Sequence, residues 1–312
     1  MQNHKDASVE SRIKDFALKS GFDACGISAS HAIVTEEKHF DDWIMEGFHA
    51  GLSYMERNRE KRLNPALLHE GTKSIISVLM SYFPERKQDS QSHFVISSYA
   101  YGKDYHSVMK EKLFQLSAFI TELFPTSKMR IFVDSAPVLD RYWAKNAGLG
   151  WIGKNSLLIN KKLGSFFFIG EILLDVELNQ DSTEYKSFCG TCTRCIDFCP
   201  TGAIEKPYSI NSNKCISYHT IESKEDIPDE IALKSGNRIF GCDICQDVCP
   251  WNRKVESSKN PDFQIKEEIN LWTQEQWMNM NAGEFSFIFK ESALQRAGFE
   301  KIKNNIEKIA SL

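Results

Sequence analysis

The chain has 312 residues, 42% of them hydrophobic and 26% charged, with a formal net charge of -4. That length admits one large domain or two ordinary ones, and the slightly acidic balance lacks the basic excess of a dedicated nucleic-acid binder, though not a local basic surface. No apolar run approaches the roughly 18 residues of a membrane span, and the polar residues 1–10 contain no apolar signal region, so a cytoplasmic protein is expected.

In chain order, Val9, Ile13, Phe16 and Ala17 recur at helical spacing after Ser8, and Gly21 stops the helix. Residues 22–28 read as a strand, in which Cys25 is a small core residue rather than a reactive thiol. Residues 53–62 are polar and basic, as a solvated face would be, and lead into a buried-looking strand at 74–83. After a loop at 85–92, residues 94–100 form the next expected strand. Met109, Leu113, Leu116, Ile120 and Leu123 then step by four and three, which marks a helix with one buried stripe, closed off by Pro125. A short strand at 130–134 ends in Asp134, just before Ser135, Ala136 and Pro137, where a new helix is expected. By local sequence alone, Asp134 is a helix N-cap rather than a catalytic group.

Residues 148–155 match G-x-G-x-x-G and fall one residue short of a P-loop. A phosphate-binding glycine turn follows a strand and opens a helix; here a helix leads in and the apolar strand 156–160 leads out. The glycines therefore read as a tight helix-to-strand turn lying close to some large ligand. The apolar run 165–178 suits a central strand covered on both faces, and the polar stretch 179–186 looks like a boundary. The expected fold class is a mixed α/β (α+β) domain over 1–180, a cysteine module over 181–252 and a short helical segment over 253–312, the last including Ile302, Ile306 and Ile309. Apart from the paired cysteine motifs there is no internal repeat.

Eight of the nine cysteines lie between 189 and 250. Cys189, Cys192, Cys195 and Cys199, followed by Pro200, have the bacterial ferredoxin spacing C-x2-C-x2-C-x3-C-P, in which three thiolates grip one cluster and the fourth reaches across to another. Cys215 stands alone, and Cys242, Cys245 and Cys249 precede Pro250. The cross-over rule assigns Cys189, Cys192, Cys195 and Cys249 to one 4Fe-4S cluster, and Cys199, Cys215, Cys242 and Cys245 to a second. Zinc knuckles and disulfides are the competing readings. Zinc is favoured by isolated C-x2-C pairs, and disulfides require an exporting signal.

Several segments in combination resemble epoxyqueuosine reductases: 133–143 (V-D-S-A-P-V-L-D-R-Y-W), 147–155 (A-G-L-G-W-I-G-K-N), 164–171 (G-S-F-F-F-I-G-E), the ferredoxin-like run to Ile204, and 214–222 (K-C-I-S-Y-H-T-I-E). With 21–27 and 99–106 the resemblance spans most of residues 8–300. It implies a cobalamin enzyme, related to reductive dehalogenases, that completes queuosine in tRNA. The epoxide oxygen at the anticodon wobble base leaves as water, with uptake of two electrons and two protons. On this reading the first domain binds cobalamin, the two clusters form a wire from an external electron donor, and the protein is a monomer. Asp134 matches the family's proton donor, which reverses the capping preference, and burial beside the corrin is expected to keep its carboxyl protonated. Arg57, Ser97, Tyr105, Asp134, Leu158, Ile169 and Ser217 fall in segments that line the corrin.

The anticodon stem-loop would be met by Arg59, Lys61, Arg62 and the 214–222 segment with Tyr218 and His219. Many relatives continue beyond residues 292–298 into a helical-repeat tail, whereas this chain ends at Leu312, which puts part of the usual tRNA grip in doubt. The readings from other classes are a corrinoid reductase acting on a small molecule and a ferredoxin-like electron carrier.

Overall fold

The computed structural model describes residues 7–91, 93–182 and 186–312; part of the expected boundary at 179–186 lies outside the described residues. Helix α1 (Val9–Lys19) is capped by Ser8, whose hydroxyl accepts from the Ser11 N–H, and buries Ile13 and Ala17. Strand β1 (Ala24–Ala29) follows, then α2 (Glu37–Met45), α3 (Ser53–Glu56) and α4 (Arg59–Leu63). Next come β2 (Ser74–Ser81), β3 (Val95–Ile96), α5 (Tyr105–Leu123), β4 (Met129–Phe132), α6 (Asp140–Asn146), β5 (Trp151–Ile152), β6 (Leu158–Ile159) and β7 (Phe167–Leu174).

The main sheet has the order β1-β2-β7-β4 and is antiparallel throughout, so the fold is α+β rather than a parallel α/β wind. β2 and β7 occupy its centre, which explains their unbroken apolar runs: Ile76, Val78, Met80, Ile172 and Leu174 belong to the core beneath α1 and α5. On the other face Ile75, Leu79, Phe167 and Leu173 meet Trp143 and Ala144 of α6. Gly26 is needed here, because a Cβ on it would stand 2.1 Å from the Ala147 carbonyl oxygen. Only the bare backbone lets the end of α6 rest on β1. Cys25 packs against the first core, and burial pushes its thiol up to about 12, as befits an inert core cysteine.

Two expected elements differ. Of residues 94–100 only Val95–Ile96 is strand, and it pairs with β10 (Arg238–Phe240) outside the main sheet, before a single 3-10 turn at Ser98–Ala100. The cause is Asp243, which accepts from the Ser97 hydroxyl and, at 2.8 Å, from the Ser98 N–H, and so bends the chain away from a ladder. The helix expected at Ser135 begins only at Asp140. Pro137 disfavours helical backbone at Ala136 before it, and Asp134 is not a cap.

The cysteine module comprises α7 (Arg194–Asp197), the hairpin β8 (Ile204–Lys206) and β9 (Ser209–Ile210), α8 (Asp229–Ser235), β10 (Arg238–Phe240) and α9 (Ile244–Asp247). Helices α10 (Glu267–Asn270), α11 (Gln274–Asn279), α12 (Ala282–Ile288), α13 (Leu294–Ala297) and α14 (Phe299–Ala310) complete the chain. Capping boxes at Thr273 and Asn281 start two of them. Their core is shared: Trp277, Phe285, Leu294, Ile302 and Ile306 pack with Phe94, Ile96, Ile239 and Phe240. Among the described residues no helix is long and apolar enough to cross a membrane.

Candidate active site

Past the end of β4 the chain makes a three-residue turn in which the Ser135 N–H donates to the Val133 carbonyl at 2.5 Å. Asp134 sits at its centre with φ +55°. A non-glycine residue in this region costs on the order of 1–3 kcal/mol and persists only where its surroundings hold it. The turn pushes the carboxyl outward, and its side chain is 60% exposed. The expected burial is therefore not supplied by protein atoms.

Asp134 is held from α5. The Tyr105 hydroxyl donates to Asp134 Oδ2 at 2.5 Å, and the Tyr105 ring is fixed by stacking on Phe168 with centroids 4.3 Å apart. Asp104 caps α5 by accepting from the His106 N–H. The same carboxylate lies 2.8 Å from His106 Nδ1, and Arg296 Nη1 stands 2.8 Å from Nδ1 and 2.6 Å from Nε2. Nε2 is 3.7 Å from Asp134 Oδ2.

Charges from five segments meet around this point. Burial, then the Asp134 carboxylate, raises Tyr105. Burial pushes Tyr54 up to about 12, with Glu222 and Asp134 adding to it. Glu222 is raised by burial and by Asp134, against Arg296. Burial also opposes ionisation of Asp104, but the His106 hydrogen bonds outweigh it and hold that carboxyl below its usual range. Local spacing gave no sign that Tyr54, Glu222 and Arg296 converge, which happens only in the folded chain, although Glu222 and His106 both lie in segments that carry the family resemblance.

None of the nine cysteines is in a disulfide, and the module's eight fall into two neighbourhoods. Cys195 is raised to about 11, by burial first and then by Cys189, Cys249 and Cys192. Burial raises Cys245, and Cys242, Cys215 and Cys199 add to it. Among the described residues no three His, Cys, Asp or Glu side chains are grouped tightly enough for one metal ion; thiolates on the corners of a cube stand farther apart than ligands on a single ion. The Ala203 N–H donates to Cys199 Sγ at 3.3 Å, one of the hydrogen bonds by which a protein tunes cluster sulfur. The 148–155 segment is not a plain helix-to-strand turn: after α6 it contains β5, which pairs with β6, and its Lys154–Asn155 corner serves this module. Lys154 Nζ donates to the Gly190 and Cys192 carbonyls at 2.8 and 2.9 Å, and Asn155 Nδ2 is 3.5 Å from the Cys245 carbonyl.

The remaining expected residues divide. Tyr105 and Ile169 stand with Asp134, Ile169 beside it in a narrow pocket. Arg57 is exposed at the end of α3, and Ser217 is half-buried beside Cys215. The Ser97 hydroxyl is committed to Asp243, and Leu158 is 2% exposed in the core under α6, so both offer a ligand mainly backbone. Tyr54 and Tyr105 bring hydroxyls towards the Asp134 carboxyl, and Ile169 supplies an apolar neighbour, a mixture that suits the edge of a large amphipathic macrocycle. Of the expected RNA contacts, Arg59 is clamped by Asp41 and Glu37 at 2.5–2.7 Å. Arg62 is 7% exposed and donates to the Tyr54 carbonyl. His219 is buried against the Asn213 carbonyl, and the Tyr218 hydroxyl accepts from the Gly51 N–H. Lys214 pairs with Glu205, and Lys61 remains exposed.

An antiparallel α+β domain that presents a strained carboxyl next to a two-set cysteine module defines an iron-sulfur oxidoreductase. A family model described as a 4Fe-4S double cluster binding domain matches residues 188–252, and one described as epoxyqueuosine reductase QueG matches residues 62–135. The epoxyqueuosine reductase of Leadbetterella byssophila is 49% identical over 302 residues, covering 97% of this chain and 98% of that protein. The Escherichia coli enzyme is 37% identical over 95% of this chain and 79% of its own length. A crystal structure of epoxyqueuosine reductase with a tRNA-Tyr epoxyqueuosine-modified stem loop superposes with a TM-score of 0.90 at 28% identity, over 97% of this chain and 81% of the other. The chain belongs to the epoxyqueuosine reductase family.

Proposed function

We propose that this protein reduces epoxyqueuosine to queuosine at the wobble position of tRNA, with cobalamin and two 4Fe-4S clusters as its redox groups and an external electron donor. The observation that carries the proposal is Asp134, held outward by a strained turn and gripped by Tyr105 in a chain whose module thiols form two sets of four. In the reaction two C–O bonds break, a C=C bond forms, and the oxygen leaves as water with two electrons and two protons.

When bound, the clusters supply single electrons at tunable potentials and the corrin supplies the low-valent metal for the reduction itself. Cys189, Cys192, Cys195 and Cys249 would hold one cluster, and Cys199, Cys215, Cys242 and Cys245 the other. Arg57, Tyr105, Ile169 and Ser217, with the backbone at Ser97 and Leu158, would hold the corrin. Asp134 gives its proton to the epoxide oxygen and so makes it a better leaving group. The Tyr105 hydroxyl, donating to Oδ2, leaves Oδ1 as the atom that carries the transferred proton. The modified base reaches this carboxyl by leaving its stack in the anticodon loop.

The test is anaerobic reconstitution with cobalamin and iron-sulfur clusters, followed by nucleoside analysis of epoxyqueuosine-containing tRNA. Queuosine is expected with the full set and none when cobalamin is omitted. A reducible cobalt without queuosine would defeat the proposal.

A further inference from the structure

We propose that Glu171, acting with Asp140, stores the proton that recharges Asp134 between the two proton transfers of the reaction; this rests on the function proposed above. Glu171 lies at the middle of β7, opposite Ser77 of β2 in the sheet register. It is 1% exposed, in a strand whose neighbouring positions are apolar. Oε1 accepts from the Ser77 hydroxyl at 3.3 Å, and Oε2 is buried with no hydrogen-bond partner among the described residues. An ionised carboxylate so placed would be far more costly than the neutral acid. Desolvation, then the charge of Asp140, accordingly drives Glu171 well above the ordinary carboxyl range.

A carboxylic acid has no packing reason to be in the sheet centre, but it has a geometric connection. Glu171, Asp140 and Asp134 line one narrow pocket of about 10 Å³, walled by Val138 and Ile169; that is close to the lower limit for one water. Asp140 is itself raised by burial against the pull of Arg141, and Asp134 adds to the shift while Arg62 opposes it. Its side chain is 34% exposed, so it connects the pocket to solvent. The titratable groups facing Glu171 are thus Asp140 of α6 and Asp134 of the turn, with the Ser77 hydroxyl from β2, while Arg141 and Arg62 act on Asp140.

The water that leaves carries two protons, and Asp134 holds one at a time. After the first transfer Asp134 is a carboxylate. An O–H bond of Glu171 breaks as an O–H bond forms at Asp134, and in the same relay Asp140 returns a proton to Glu171 and takes one from solvent, so that no lasting charge is left at the buried site. No electrons move in this step.

The experiment uses holoenzyme carrying Glu171→Gln, which keeps the size and neutrality of the acid but cannot release a proton. Turnover is expected to fall about tenfold or more, with cobalt, iron and tRNA affinity unchanged, to decline steeply as pH rises, and to be restored in part by formic or acetic acid in the buffer. Infrared difference spectra of the cofactor-free protein at neutral pH should contain a protonated carboxyl stretch that the variant lacks. Wild-type turnover in the variant, a loss that follows cofactor loss, or no such band would each overturn the proposal. Failure of the wild type to make queuosine would instead sink the proposed function, and the infrared band would still report on Glu171 alone.

Discussion

Asp134 joins an unfavourable backbone conformation to an exposed carboxyl, and each variant there separates one from the other. Asn tolerates positive φ well, so Asp134→Asn keeps the turn and removes the acid. Turnover is expected to fall by about 10²–10⁴-fold, with cobalamin and cluster spectra unchanged. Tyr105→Phe keeps the stack on Phe168 and deletes one hydrogen bond to a charged group, worth roughly 1.5–3 kcal/mol. Single-turnover rates should drop about 10- to 100-fold, leaving iron and cobalt contents at wild-type levels. Glu171 gives a stability test. Its native pKa is raised above its ordinary value of 4.5, so the native state binds more protons than the unfolded chain above that pH. Stability therefore falls as pH rises from 4.5 towards the native pKa. Glu171→Gln removes the dependence: its Tm should match wild type near pH 4 and exceed it by a growing margin toward neutral pH. The chemistry at this scale was only partly readable in advance. Local sequence makes Asp134 a cap, because nothing in the residues around it announces a left-handed backbone or the delay of α6 to Asp140.

At the scale of elements, periodicity located α1, α5, β2 and β7 well, since each buries a face whose pattern is written in its own residues. It overcalled residues 94–100, where a carboxylate from 145 residues farther on claims the Ser98 N–H. Such long-range claims leave no local trace. The cysteine runs were legible for the opposite reason, because cluster ligation is encoded by spacing. The crossed partition makes a specific forecast. Cys199→Ser and Cys245→Ser should remove the same paramagnetic signal, Cys195→Ser and Cys249→Ser the other, and each single variant should lose about half of the iron. Pairing by sequence proximity, with Cys199 grouped with Cys195, would contradict it.

Across the whole molecule, the terminal helix α14 is tied to the module by Asn305, which is 1% exposed and donates from Nδ2 to the carbonyls of Thr220 and Ile239, both at 2.9 Å. Asn305→Ala leaves both carbonyls buried without a donor and should cost about 2–4 kcal/mol, seen as a lower denaturation midpoint. The shared core of residues 94–101, β10 and the C-terminal helices was not foreseeable, because each contributes a short apolar patch with no partner nearby in sequence. The two cysteine runs carry a further consequence. Cys199 lies with the later thiols and Cys249 with the earlier ones, so under the proposed partition each run would lend one thiolate to the cluster held mainly by its counterpart. A fragment carrying either run alone would then complete neither cluster, and the two halves of the module would have to fold together before the first iron is fully ligated.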